Sequence, residues 1–462
     1  MLLSGGKFAQ YRMFDPEYKY PKAFCTDEDI QVAKGIREYV DKEIIPDRPN
    51  LEGGWHKDEQ LARDTAERHY VQLVKMGLQR LNMPVEYGGL GLSPVARGMI
   101  QLELARGEIP LAVLTGKVQW AVSFALAAKR YDLLAEMAPQ VVGDDAYTAC
   151  VVMTEPSGGA NIEDPIFDFR TMRTRATFEG DDIVINGHKM WPGPSGPADY
   201  FKSKYLKGIM GYWTVAQTDP AKGADGLRMI QVPPDAKGLS FSKPYQKMGF
   251  AYSERNCEIW FENVRVPKRY IVDTEPGMAA RMIKANFIGA AKLISGLRLA
   301  GASEAILEIA LNWTGNREIA GVPVRERSFF ASILAEMFRL IEVSRNYCLS
   351  VAWELGHPEI YGEPWSPEMM GKCALARSFA ADAADFCAER GMELLGSYGY
   401  SYDYHIEKIM RDIKIVKIWL GGAQRDRLDI AQALYGPFKW SGMDEWIKQG
   451  ALVTEGFGGP RY

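Results

Sequence analysis

A carboxylate set beside apolar residues is where this chain could keep a proton acceptor, and Glu103-Leu104-Ala105-Arg106-Gly107-Glu108-Ile109-Pro110 offers two. Glu108 abuts Ile109, and burial there would disfavour its charged form and raise its pKa toward the range a general base needs. Glu103 is the second choice. The plainer reading of Glu108 is a helix-end cap or a partner for Arg106. Trp191, Arg317 and Gly396 also have plain readings taken alone: a core ring, a solvated helix end and a helix C-cap. The five histidines (His56, His69, His188, His357, His405) are far apart in sequence, and the six cysteines (Cys25, Cys150, Cys257, Cys348, Cys373, Cys387) contain no C-x-x-C pair. These spacings argue against a metal site, an iron–sulfur cluster or a disulfide framework, and they fit a reducing cytoplasm.

The elements that must position such residues follow from pattern. With 462 residues, 47% apolar and 25% charged, the chain can bury a sizeable core and is expected to form two or three packed units. A net charge of −4 with Lys and Arg dispersed gives no basic stripe, so nucleic acid is not an expected partner. The N-terminus lacks a basic region followed by a long apolar run, so no secretory signal is read. No stretch is counted that reaches the roughly 18 apolar residues of a membrane span.

From Thr26 to Gly143 the pattern is helical. Asp27-Glu28-Asp29 suits a helix start, and Ile30, Val32, Ile36 and Val40 follow at mixed spacing. Pro84-Val85-Glu86-Tyr87-Gly88-Gly89-Leu90-Gly91 interrupts it and demands a loop. Between Ala146 and Val272 the character is β. Met172, Ala176 and Phe178 alternate with Arg173, Arg175 and Glu179, and Gly180-Asp181-Asp182 turns into Ile183-Val184-Ile185-Asn186-Gly187. Further strands are expected at Tyr212–Val215, Met229–Val232 and Glu258–Phe261, in a compact sheet or barrel. Helical spacing returns with Leu293, Ile294, Leu297 and Ala300, then Ile306, Leu307 and Ala310, and runs to about Tyr435. The expectation is an α+β chain: a helical domain over 26–145, a β domain over 146–275, a helical domain over 276–436 and an extension over 437–462, rich in Gly and aromatics and packed on the surface.

Several motifs fall in order along this plan: the Pro84–Gly91 loop, Met153-Thr154-Glu155-Pro156, Ile185-Asn186-Gly187-His188-Lys189-Met190-Trp191, Phe261-Glu262-Asn263-Val264-Arg265-Val266-Pro267, Gly396-Ser397-Tyr398-Gly399-Tyr400, and Met410-Arg411-Asp412 with Trp419-Leu420-Gly421-Gly422-Ala423-Gln424. Over roughly residues 28 to 436 the chain resembles the acyl-CoA dehydrogenase flavoproteins. That resemblance implies a C-terminal four-helix bundle, and FAD held between the sheet domain and the C-terminal helices with a neighbouring subunit completing the site. It implies further that Met153 and Thr154 meet the flavin ring, that Trp191 lies against its face and that Arg317 pairs with the pyrophosphate. Gly159, Gly193, Glu393, Gly396, Gly422 and Gln424 match other cofactor positions. Flavin reduction builds negative charge, which oriented donors stabilise. An acyl-CoA thioester substrate, electron-transfer flavoprotein as acceptor and a homotetramer or dimer are implied as partners.

The departures cluster at the active centre. Leu420 occupies the family's usual place for the catalytic glutamate, and Ala290 the alternative place. Ala291 stands for an arginine that touches CoA, with Lys292 one residue on. Ala160 stands for a serine near the thioester, Gly193 for a threonine whose hydroxyl reaches flavin N5, Glu393 for a glutamine, and Ala320 for an aromatic. The resemblance places the Glu108 segment at the border of the acyl pocket. The leading expectation is therefore dehydrogenation of an unusual, cyclic or aromatic acyl-CoA with Glu108 as base. The alternatives are a base-less flavin monooxygenase or desulfinase on the same fold, and a non-catalytic partner subunit of a heteromer.

Overall fold

The computed structural model of the chain describes residues 11–54, 56–158, 168–250 and 254–436. Helix α1 (Asp27–Tyr39) starts where Thr26 Oγ1 accepts from the Asp29 N–H at 3.1 Å and Asp29 Oδ2 accepts from the Thr26 N–H at 2.9 Å. This reciprocal box satisfies two donors that a helix start otherwise leaves orphaned. Ile30, Ile36 and Val40 turn inward, while Val32 is exposed because its two-residue spacing puts it off that face. Next come α2 (Glu59–Lys75), α3 (Pro94–Gly107), α4 (Ile109–Thr115), α5 (Lys117–Ala127) and α6 (Tyr131–Val142). The Pro84–Gly91 stretch is a loop with one short helical turn, and a β-carbon at Gly89 would overlap the Met83 carbonyl.

Strands β1 (Ala146–Val152), β2 (Arg175–Glu179), β3 (Asp182–Lys189), β4 (Leu206–Gln217), β5 (Leu227–Val232), β6 (Leu239–Phe241) and β7 (Ile259–Pro267) form one mixed sheet. Its order is β1-β4-β2-β3-β7-β6, with β5 paired to β4. Strand alternation sorts the side chains: Ala149, Val151, Trp213 and Val215 face α5 and α6, while Cys150, Val152, Tyr212, Ile183 and Phe261 fill the opposite side. Met172, expected on a strand, lies in the preceding turn, and Phe178 ends β2 exposed beneath the Lys268 ammonium.

The C-terminal part is α7 (Ala290–Asn316), α8 (Ser328–Leu355), α9 (Pro367–Leu395), α10 (Ile406–Ile418) and α11 (Gly422–Tyr435). Helix α7 is central, packing on α9, α8 and α3. It approaches α3 closely because Gly301 has no side chain; a β-carbon there would overlap the Leu102 carbonyl. The architecture is α+β, with helices, sheet and helices in chain order. The run Ile109–Ala127, which spans α4 and α5, is apolar enough over 19 residues to cross a membrane, more than sequence reading counted. Its window is 83% buried inside the fold, so it serves as core. The extension 437–462 lies outside the described residues.

Candidate functional site

The site begins where β1 and β3 end. Lys189, fully buried, donates to the Met153 carbonyl at 2.8 Å and to Glu155 Oε1 at 2.9 Å. Glu155 also accepts from the Arg173 and Thr174 amides, and the Met190 N–H reaches the Thr154 carbonyl at 2.9 Å. Burial opposes both charges. Lys189 and these amides outweigh it for Glu155, whose pKa is held below the ordinary value. The result ties the Met153-Thr154 turn to the strand that delivers Trp191. Met153 is buried, Thr154 half-buried, and Trp191 is 49% exposed with one face stacked on Tyr245 at 4.0 Å. The Thr154 side chain and an open indole lie together at this turn. Gly159 and Ala160 lie outside the described residues.

Beyond Trp191 the chain turns through Gly193 and is pinned by Ser195, whose Oγ donates to the Pro192 carbonyl and accepts from the Cys257 N–H, both at 2.8 Å. Asn256 Nδ2 donates to the carbonyls of Trp191 and Pro192. A β-carbon at Gly193 would overlap Glu254 Oε1 and Asn256 Nδ2. Glu254 is buried and paired with Lys117 at 2.5 Å, while Lys247 donates to the Glu254 carbonyl and to Asn256 Oδ1. Burial pushes Lys247 down to about 8 and Arg298 to about 9, with Glu254 opposing both shifts. A carboxylate among three cations thus lies behind the turn.

The segment bearing Lys247 also reaches the Leu420 loop. Phe250 packs edge-on to Trp419 at 6.0 Å, and its N–H donates to Asp412 Oδ1 at 2.8 Å. Trp419 Nε1 donates to Ser295 Oγ at 3.0 Å. Arg377, fully buried, donates to the carbonyls of Trp419 and Gly422 and grips Asp426 at 2.7 and 2.8 Å. Leu420, half-buried, is held at φ 55°, a left-handed conformation that costs a branched residue roughly 1–2 kcal/mol. Gln424 is exposed on the first turn of α11. Ala290 is half-buried at the start of α7, and Lys292 is fully buried against Asp426 at 3.1 Å and against Asp429. That pairing supports a structural role for its ammonium.

Glu108 sits between α3 and α4, buried, with Oε1 at 2.5 Å from Lys408 Nζ. Lys408 also holds Asp412 at 2.6 Å, and Glu52 adds a third negative charge nearby. One ammonium facing three acids is pushed up, while burial and the neighbouring acids push Glu108 up to about 7. The plain reading of a pair with Arg106 is corrected: Arg106 binds Asp41 and Glu308. Glu103 is engaged by Lys19 at 2.7 Å, Arg37 at 3.0 Å and the Tyr20 hydroxyl at 2.6 Å.

Arg317 is exposed past the end of α7, Gly396 caps α9 at φ 62°, and Glu393 pairs with Arg390. Trp313 packs on Tyr398 at 4.9 Å, which holds the Gly396 turn beside the Arg317 end. Among the described residues no hydrogen bond, ion pair or ring contact joins this group to Met153, Thr154 or Trp191. Sequence reasoning missed Lys117, Lys247, Glu254, Arg298 and Arg377. A signal existed for two of them: Lys117 and Arg298 are lone charges inside otherwise apolar helical stretches.

The half-exposed Trp191 ring, beside the Met153-Thr154 turn that the buried Lys189–Glu155 pair holds, is a place where a flat ring could lie. Residues 26–129, 150–264 and 281–435 match the N-terminal, middle and C-terminal domains of acyl-CoA dehydrogenase. The chain belongs to the acyl-CoA dehydrogenase family, whose enzymes are oxidoreductases acting on CH–CH donors. It is 26% identical over 408 residues to the probable acyl-CoA dehydrogenase FadE25 of Mycobacterium tuberculosis, covering 88% of this chain and 95% of that one. It is 28% identical over 366 residues to the cyclohexane-1-carbonyl-CoA dehydrogenase of Syntrophus aciditrophicus, covering 79% and 88%. A glutaryl-CoA dehydrogenase structure from Mycobacterium smegmatis in complex with FADH2 superposes with a TM-score of 0.70 at 23% identity, covering 91% and 98%, and bears on the fold alone.

Proposed function

We propose that this chain oxidises an unusual, cyclic or aromatic acyl-CoA at its α,β carbons, with FAD as cofactor and Glu108 as the base. The observation that carries the reading is the pairing of an inert Leu420, in a loop rigidly held by Arg377, with a buried Glu108 pushed up to about 7. Bound FAD supplies the hydride acceptor. Trp191, the Met153-Thr154 turn and the Gly193 turn would hold its ring, and Gly422 and Gln424, at the start of α11, would contact it. Arg317, Glu393 and Gly396, exposed and joined to Trp191 by no contact among the described residues, would suit the phosphate and adenine half of a cofactor reaching in from a second copy, and a homo-oligomer is part of this proposal. In this reading Glu108 takes the α-proton, with Lys408 keeping one carboxylate oxygen in place. The likeness to a cyclohexane-1-carbonyl-CoA dehydrogenase supports a cyclic acyl group, and electron-transfer flavoprotein is the acceptor proposed.

The test is product analysis. Acyl-CoAs incubated with the FAD-loaded protein and an artificial electron acceptor are read by mass spectrometry, and a cyclic acyl-CoA is expected to lose two hydrogens. Leu420 itself favours a second reading, a base-less monooxygenase or desulfinase. Oxygen-dependent turnover or sulfite release without that mass loss would establish it.

A further inference from the structure

Gly193 faces a space already filled. The carboxylate of Glu254 and the amide of Asn256 occupy the volume that a side chain at 193 would take. Neither group is loose: Lys117 Nζ holds Glu254 Oε1 at 2.5 Å, Lys247 ties the Glu254 carbonyl to Asn256 Oδ1, and Asn256 Nδ2 binds the carbonyls of Trp191 and Pro192. Glu254 is 6% exposed, and its nearest cations come from three separate segments: Lys117 opens α5, Lys247 lies ahead of β7 and Arg298 lies on α7. A carboxylate so far from water persists only where partners hold it. This one is delivered to the turn that follows the half-exposed Trp191 ring.

Resting on the flavin reading above, we propose that Glu254, carried on a different loop and packed against Gly193, places a buried negative charge at the flavin edge, with Lys117 beneath it offsetting that charge. Glu254 and Gly193 are thus a matched pair: the carboxylate requires that residue 193 have no side chain. A carboxylate there opposes the negative charge that reduction places on the ring, and Lys117 offsets part of that opposition. Removing the negative charge while keeping shape and cations shifts the reduction potential upward.

The test uses the full-length protein loaded with FAD and compares wild type with Glu254→Gln, Gly193→Thr and the double variant Gly193→Thr/Glu254→Ser. Two quantities are read: the flavin midpoint potential by dye-coupled titration and the FAD dissociation constant by fluorescence. Glu254→Gln is near-isosteric and is expected to bind FAD with a more positive potential. Gly193→Thr alone is expected to weaken FAD binding by roughly tenfold or more through overpacking, and Glu254→Ser to restore most of that loss in the double variant. Thermal unfolding of the FAD-free variants reads the same coupling without cofactor and shows whether each one folds. An unchanged potential in Glu254→Gln, or a Gly193→Thr penalty that Glu254→Ser leaves intact, overturns the proposal. A folded wild-type chain that takes up no FAD overturns the flavin reading and this proposal with it, a result told apart from the others by occurring before any substitution.

Discussion

Glu108 carries opposite consequences for activity and for stability. As a base it must be ionised, so substrate oxidation should rise with pH through about 7, where burial has placed its carboxyl. Glu108→Gln should lower the rate by about 100-fold or more and remove that limb of the profile, measured as flavin reduction rate against pH. In stability the sign reverses. The folded chain keeps the Glu108 proton up to about 7 against an ordinary 4.5, so between those values the folded state binds more protons than the unfolded one. Stability from this group therefore falls as pH rises through that window. Glu108→Gln should flatten the fall, as read by thermal unfolding from pH 5 to 8. At the same scale the resemblance pointed to Leu420 as a position without a base, because an apolar residue stands there in a motif of known order. It did not reveal what fills the space beside Gly193. Glu254 and Lys117 are 137 residues apart, and only folding brings them to the Gly193 turn.

The elements show why the Leu420 loop keeps its shape without its usual side chain. Arg377 on α9 clamps the carbonyls of Trp419 and Gly422 and anchors Asp426 on α11. Arg377→Met would leave Asp426 with Lys292 alone in a buried setting, a loss of about 3–5 kcal/mol, and should lower Tm markedly. Leu420→Gly, by contrast, relieves a left-handed backbone and should leave substrate-driven flavin reduction in place; its abolition would assign Leu420 a role after all. The succession of helices, strands and helices along the chain was legible because apolar spacing reports which face is buried: Leu293, Leu297 and Ala300 are all buried on α7, whereas the order of strands within the sheet was not. Val32 obeys the spacing rule, its two-residue step from Ile30 leaving it exposed, whereas Phe178 broke it, since alternation alone cannot show that its face of β2 is left uncovered.

For the whole molecule, a buried ion network joins the segment ahead of α1 to the bundle. Lys19 binds Glu103 and Glu304, Arg37 binds Glu103, Glu304 and Glu308, and Arg106 binds Glu308. Burial alone would raise the Glu304 pKa, but Lys19 and Arg37 outweigh it and hold the carboxyl well below its usual 4.5. The stability this provides is present above about 4.5 and is lost as pH falls toward the depressed value. Lys19→Met should cost about 3–5 kcal/mol and Glu304→Gln should blunt acid unfolding, both readable by denaturant titration across pH. The central claim concerns the proposed cofactor seat and the Leu420 loop, where the family's usual base is replaced by an apolar residue. It is tested most directly by an anaerobic visible spectrum of the FAD-loaded protein before and after linear and cyclic acyl-CoAs. Bleaching of the flavin by a cyclic acyl-CoA is the expected result. A flavin that stays oxidised with every thioester would contradict the account.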